Sequence, residues 1–348
     1  MDPLSGLEVT EQLLRSIAGI DEFKGRWAAL GNLAPERLSA LRRIATIESV
    51  GSSTRIEGVK LTDDEVEKLL SGLDIRSFRS RDEQEVAGYA ELMEMIFGSY
   101  GEIPLSENHI LQLHGVLLKY SEKDARHRGH YKSLPNSVEA FGDNGHSLGV
   151  VFETASPFDT PRLMQGLVDW TRTALETGQH HPLLIIIVFV VRFLAIHPFQ
   201  DGNGRLSRAL STLLLLRSGY GYVPYSSLER VVEDNKDEYY RTLRRAQATL
   251  DSDESRLNEW ISFFVSCLAK QKDALARKVE AERLMTPLAP LSQELLGIVD
   301  SHGRVTVRQA VTLTGANRNT LKHHLRQLVT TGRLVQRGTG RGTWYEKP

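Results

Sequence analysis

The sequence predicts a mainly α-helical protein with one β-hairpin in its core and a small winged helix-turn-helix unit at its carboxy-terminal end. Three observations predict it. Apolar residues recur three and four apart in stretches such as LTDDEVEKLLSGL and EVAGYAELMEMIFGSY. Between 126 and 156 that period gives way to two β-prone stretches, SVEAF and SLGVVFE, around the turn-forming GDNG at 142–145, the pattern of a hairpin. RLMTPLAPLS, within Glu282–Ser292, then breaks a long charged helix with two prolines three apart.

The elements follow in order. Thr62, with Asp63, Asp64 and Glu65 after it, reads as an N-cap with a capping box, so a helix is expected from about Asp63. Leu105 to Lys119 reads as another helix. Helical periodicity resumes at Pro161 with Thr160 as cap, and runs through Leu183–Val191, the stretch after Gly204, and DEYYRTLRRAQATL. The nine-residue run Leu183–Val191 ends at Arg192; it is about half of the roughly 20 apolar residues a membrane span needs and reads as buried. After the prolines, three short helical stretches precede the Gly-rich RLVQRGTGRGTWYE, and Gly315 sits where the tight turn before the third helix needs it. The expected domains are a helical region at 1–100, a core at 101–270, a helix and linker at 271–290, and the winged unit at 291–348.

Composition narrows the partners. The 348 residues hold 43 Lys plus Arg against 44 Asp plus Glu, with 25% charged and 41% hydrophobic residues, close to the soluble globular average. The near-zero sum hides two parts: residues 1–290 carry 34 basic and 41 acidic residues, −7, while 291–348 carry nine and three, +6. The lone Cys267 excludes an internal disulfide and a cysteine-based zinc site. With no basic start and apolar run at MDPLSGLEVTEQ, a secretory signal is not expected, and a cytoplasmic location is.

The chemistry concentrates in Ala195-Ile-His-Pro-Phe-Gln-Asp-Gly-Asn-Gly-Arg-Leu-Ser-Arg208. An apolar helix ends, His197 and Pro198 leave it, and a new helix is expected near Arg205. Gly202 and Gly204 permit a close backbone approach, so several N–H groups can face one anion, and the helix start adds its own unpaired donors. Arg205 and Arg208, three apart, share a face at the positive end of that helix, where cations are disfavoured by about 0.3–1 kcal/mol each unless an anion compensates. A polyphosphate fits. Asp201 beside phosphates makes sense as a Mg²⁺ ligand, and His197 as a base for an incoming hydroxyl.

This string resembles the signature of the Fic family, H-P-F-x-[D/E]-G-N-G-R-x-x-R, at every specified position; nine residues at roughly 5% each recur by chance on the order of once in 10¹¹ positions. The resemblance implies a helical Fic core that transfers AMP from ATP to a Ser, Thr or Tyr hydroxyl of a protein, with pyrophosphate leaving. By resemblance His197 is the general base and Asp201 the Mg²⁺ ligand. Gly202, Asn203 and Gly204 form the anion hole, Arg205 contacts the β-phosphate and Arg208 the γ-phosphate, and Phe199 anchors the loop. Tyr239 and Tyr240 would flank adenine, while Gln247 stands where relatives tend to carry Asn. Residues 131–156 resemble the family's flap, which holds the target by strand addition; Tyr131-Lys132 replaces an expected Tyr-Arg.

Ser53-Thr-Arg-Ile-Glu57-Gly58 resembles the family's inhibitory motif, [S/T]-x-x-x-E-[G/N]. Its spacing puts Ser53 and Glu57 on one helix face, with Gly58 closing the helix. By resemblance Glu57 pairs with Arg208 in bidentate contact, competing with phosphate. The basic residues Arg304, Arg308, Arg318, Lys322, Arg326, Arg333, Arg337, Arg341 and Lys347 suit DNA contact through 304–341, against the alternative of a unit for protein contact or dimer packing. A homodimer is implied by resemblance only, and no membrane role is expected. Two other functions stay open: a DNA-binding regulator that uses the Fic core as a nucleotide sensor, and a Fic enzyme that transfers another nucleotide or phosphocholine or removes AMP.

Overall fold

The computed structural model describes the chain except residues 1–2, 30–34, 73–77, 79, 142–146, 251–255, 286–288 and 331. The GDNG turn and the middle of the expected linker lie outside the described residues. The chain divides into two compact units, Met1–Leu275 and Ala276–Pro348. Among the described residues no helix is long and apolar enough to cross a membrane.

The first unit is organised around α7, Pro182–Ile196, and α8, Asn203–Arg217. Isoleucine and valine are mediocre helix formers. Here the run is helical because it is buried on every side: each residue from Leu183 to Val191 is inside, packed on α8 and on α6, Thr160–Thr177. Each such side chain contributes on the order of 1.5–3 kcal/mol of transfer free energy, which makes the pair α7–α8 the rigid frame for the loop between them. Trp260 of α11, Leu257–Met285, is fully buried and donates its indole N–H to the Ile187 carbonyl at 3.0 Å.

Around this frame lie α1, Glu11–Ala29; α2, Pro35–Ile56; α3, Asp63–Ser71; α4, Arg81–Ser99; α5, Glu107–Leu117; α9, Leu228–Asp234; and α10, Lys236–Ala248. The capping box at Thr62 and Glu65 is present. At α6 the expected cap shifts by one: Asp159 is the N-cap, and Thr160 is buried with its hydroxyl donating to the Ser156 carbonyl, because a turn from Ser156 to Asp159 starts the helix early. The strands β1, Ser137–Phe141, and β2, Ser147–Glu153, pair antiparallel with two register shifts.

The second unit runs α12, Pro290–His302; β3, Arg304–Val305; α13, Val307–Thr314; α14, Arg318–Thr330; β4, Val335–Arg337; and β5, Trp344–Glu346. Its strands lie in the order β3-β5-β4, all antiparallel. Leu295, Val299, Leu321, Leu325 and Leu328 fill its core. The helix α12 starts inside the stretch expected as linker, since Pro290 stands in the first turn, where its missing N–H is no loss.

Gly88 sets how closely α4 approaches α5, because a Cβ there would collide with the Leu117 carbonyl. Gly88→Ala is expected to lower stability by about 1–3 kcal/mol in urea unfolding. Gly98→Ala, on the same helix with open space around it, is expected to leave stability unchanged or raise it by up to about 1 kcal/mol.

Candidate active site

The loop from α7 to α8 is built by hydrogen bonds to its backbone. His197 caps α7 in the left-handed region at φ 52°, the one non-glycine among the described residues with positive φ, a conformation that persists only when its surroundings impose it. Lys132, 3% exposed, donates its backbone N–H to Pro198 O at 2.8 Å and its ammonium to Ile196 O at 3.0 Å. The same ammonium reaches Asn136 Oδ1 and Thr154 Oγ1, both at 2.8 Å, and Asn136 Nδ2 donates to Phe199 O at 2.9 Å. From inside the loop, Asn203 accepts from Phe199 N at 2.9 Å and donates to Phe199 O at 2.7 Å. Its side chain is therefore a staple, and only its backbone can serve the anion site expected of it.

Phe199 is fully buried and stacks on His114 with ring centroids 3.8 Å apart. His114 Nδ1 accepts from Gly129 N–H at 2.9 Å, so the proton sits on Nε2, which donates to the Asp201 carbonyl at 3.0 Å.

The helix α8 begins at Asn203, two residues before the expected start, with Gly202 as its N-cap at φ 82°. The glycine turn is thus the first turn of the helix, where unpaired N–H groups favour an anion. Glu57 supplies one: a Cβ on Gly204 would run into its carboxylate.

Arg205, expected on the β-phosphate, is engaged by two carboxylates. Its side chain is 3% exposed and binds Glu85 Oε2 at 2.9 Å and Asp201 Oδ1 at 3.3 Å. Arg81 closes the ring, reaching Glu85 Oε1 at 2.7 Å and Asp201 Oδ2 at 3.2 Å. With Asp201 these residues form a ring of four charges of alternating sign, in which Arg81 of α4 and Arg205 of α8 hold Asp201. Among the described residues no three His, Cys, Asp or Glu gather into a metal site. Asp201 can still serve Mg²⁺, because its outer oxygen already faces a cation and Mg²⁺ needs only one or two protein carboxylates beside phosphate and water.

Arg208 is buried at 7% exposure beside Ser53 and Glu57. Its Nε donates to Ser53 Oγ at 2.9 Å, and its Nη2 donates to Ser53 O and Glu57 Oε1, both at 2.8 Å. The expected two-point carboxylate contact is therefore a shared one, with Ser53 taking the rest of the fork. Burial alone would lower this guanidinium's pKa; Glu57 and the nearby tyrosines reverse that and raise it. Nη1 has no partner among the described residues. Arg208, Ser211, Glu229 and Tyr239 help line a cavity of ≈ 10 Å³, room for one water.

The end of α2 that carries Glu57 is latched from behind. Arg55 binds Glu233 at 2.6 and 3.0 Å, Asp63 at 3.0 Å and the Leu61 carbonyl at 2.9 Å. Gly58, at φ 103°, turns the chain away after Glu57. Tyr240 donates to the Ile56 carbonyl at 3.3 Å. Tyr239, expected against adenine, is 3% exposed and packs among Trp260 and Phe263, so of the pair only Tyr240 reaches solvent. Gln247 is buried.

Burial pushes His197 down to about 4, helped by the Lys132 ammonium, and pushes His114 down to about 4. Burial also brings Lys132 down to about 8. Both imidazoles are neutral at pH 7, the form a base requires. Below the ordinary value near 6.5 the unfolded chain takes up protons that the fold refuses, so stability falls as pH drops from 6.5 toward 4.

Sequence reasoning missed His114, Asn136, Arg81, Glu85 and Arg55, and it named Lys132 only as part of the flap. A histidine within the helical stretch LQLHGVL was a signal for the first; the others act through contacts 63 to 178 residues away, which no local pattern records.

Residues 104–215 match the model of the Fic/DOC family. The chain is 27% identical over 264 residues to the protein adenylyltransferase Fic of Drosophila willistoni, covering 74% of this chain and 47% of that one. It is 28% identical over 243 residues to the Drosophila persimilis protein of that name, covering 68% and 43%. The chain thus spans about half the length of the curated relatives it matches. A Fic family protein from Desulfovibrio desulfuricans superposes with a TM-score of 0.61 at 24% identity, over 98% of this chain and 97% of that one, a likeness of fold. A Fic domain containing signaling protein from Bacteroides thetaiotaomicron superposes at 0.59 with 26% identity, over 74% and 96%.

Histidine NMR titration is expected to show the His197 and His114 rings still neutral at pH 5.5. Lys132→Met is expected to move the His197 midpoint upward, because an adjacent positive charge is removed, and to leave His114 in place.

Proposed function

We propose that this chain, which carries a Fic domain at residues 104–215, is a protein adenylyltransferase held in check by its own Glu57. A hydroxyl oxygen of a target protein, or of the chain itself, attacks the α-phosphorus of ATP. The bond from that phosphorus to the bridging oxygen of the β-phosphate breaks, pyrophosphate leaves, and the hydroxyl proton passes to the neutral His197 imidazole. The backbone at Gly202–Gly204 and the start of α8 bind and orient the phosphates, which supplies the positioning and charge stabilisation this class of reaction depends on. Asp201 would hold a Mg²⁺ carried in by the triphosphate, and that ion would add positive charge at the leaving group.

One observation carries the reading: the Glu57 carboxylate lies on Arg208 at 2.8 Å and over Gly204. An acidic side chain occupies the cation and the helix start that a terminal phosphate needs, as an anion bound in its place. That supports a triphosphate donor over a diphosphate-linked one, and a brake that ATP must displace. The hairpin β1–β2 would receive the target segment by strand addition. Leu134, 64% exposed, precedes β1 and Phe158, 92% exposed, follows β2, and both suit an apolar target side chain.

With α-labelled ATP, Glu57→Gly is expected to raise AMP incorporation into the chain or lysate proteins by roughly 10- to 100-fold, the worth of one charge-assisted hydrogen bond. His197→Ala in that background is expected to lower it at least ~100-fold. Undiminished labelling would remove His197 as the base; an unchanged Glu57→Gly rate would remove the brake.

Arg81 competes with any metal for Asp201. In the inactive Glu57→Gly/His197→Ala protein with ATP, Arg81→Ala is expected to tighten Mn²⁺ binding by up to ~5-fold, the worth of an exposed ion pair, read by electron paramagnetic resonance. Weaker binding would mean that Arg81 supports the ion.

A further inference from the structure

We propose that the exposed face of α14 is a binding surface for duplex DNA, independent of the catalytic reading. The helix RNTLKHHLRQLVT contains no acidic residue. Leu321, Leu325 and Leu328 turn inward, while Arg318, Asn319, Lys322, His323 and Arg326 are exposed. Arg318, Lys322 and Arg326 repeat every four residues, so they form one stripe with about 6 Å of rise between neighbours.

This stripe is left without counter-charge. Of the three acidic residues from 291 onward, Asp300 is paired with Lys347, Glu346 binds Arg337 at 3.0 Å and accepts from Trp344 at 2.9 Å, and Glu294, exposed on α12, enters no ion pair among the described residues. Among the described residues, Arg318, Lys322 and Arg326 enter no ion pair. Like charges four apart on a helix cost about 0.2–0.5 kcal/mol per pair, and Arg318 also stands at the positive end of its helix. A row of external anions relieves both.

The surroundings choose among polyanions. The helix α13 ends at Gly315 in the left-handed region at φ 67°, and Asn317 Oδ1 accepts from Asn319 N at 2.8 Å. A three-residue turn thus presents α14 after α13, as in helix-turn-helix units. A helix about 10–12 Å wide enters the major groove of B-DNA, about 12 Å across, whereas the major groove of A-form RNA is too narrow for it. An anionic membrane would also require apolar anchors. Among the described residues of this unit, Leu313 is the one exposed large hydrophobic.

The test is fluorescence anisotropy of the full chain with a labelled mixed-sequence 20-base-pair duplex between 50 and 200 mM KCl. Three phosphate contacts are expected to weaken binding roughly 40-fold over that range, a log–log slope of about −2.7. Arg318→Ala/Lys322→Ala/Arg326→Ala is expected to abolish binding at 50 mM while the melting curve of the chain stays unchanged; Lys322→Arg should keep both affinity and slope. As a control, Arg162→Ala/Arg172→Ala/Arg241→Ala, on exposed arginines of the first unit, should leave binding intact. Absence of binding at 50 mM, equal losses in the two triple variants, or equal affinity for duplex RNA would each overturn the proposal. Binding of a protein alone, with none to DNA, would do the same.

Discussion

A buried guanidinium must have an anion, and Arg208 is the point around which the amino-terminal unit is arranged. It lies in the first turns of α8, enclosed by α2 and a group of tyrosines. Removing one partner from a buried charge pair costs about 3–5 kcal/mol. Glu57 is itself 31% exposed, so its departure costs less than that, and another anion offsets the cost; in the proposed function that anion is the terminal phosphate of ATP. The latch of Arg55 on Glu233 and Asp63, and the Tyr240 contact to Ile56, keep Glu57 at hand for the reverse exchange. Under this account ATP and Glu57 compete for one site, and inhibition is a matter of relative affinity.

The other half of the site is a strained loop held open by its neighbours. Three successive groups hold its backbone: Lys132 and Asn136 from the hairpin side, Asn203 from α8, and His114 from α5. His197 keeps its left-handed conformation because the carbonyls on both sides of it are already engaged. The residue that would accept a proton and the strands that would hold a target are thus joined through Lys132. Its ammonium also helps keep the imidazole neutral.

The loop from His197 to Arg208 was legible because its chemistry is local: glycines, a carboxylate and two arginines within twelve positions define a phosphate site by type and spacing. The helical frame was legible for a similar reason, since burial and period both show along a single stretch. What escaped was long-range. Arg205 reads as a phosphate ligand, and nothing near it in the sequence announces its contact with Glu85, 120 residues away. Tyr239 reads as a base-stacking surface, and its packing against Trp260 is not visible in its own stretch. Asn203 reads as part of an anion hole, but its side chain closes on Phe199. Helix starts differ by one or two residues at Thr160, where the Ser156 hydroxyl begins α6 early, and at Arg205, where the glycine turn is itself the first turn of α8.

The central claim is that Glu57 stands where the third phosphate binds. Equilibrium affinities of ATP and ADP for His197→Ala and for His197→Ala/Glu57→Gly, measured calorimetrically without turnover, test it directly. The account predicts that losing Glu57 tightens ATP roughly tenfold, about 1.4 kcal/mol, and changes ADP less than about twofold. An equal gain for both nucleotides, or none for ATP, would contradict it.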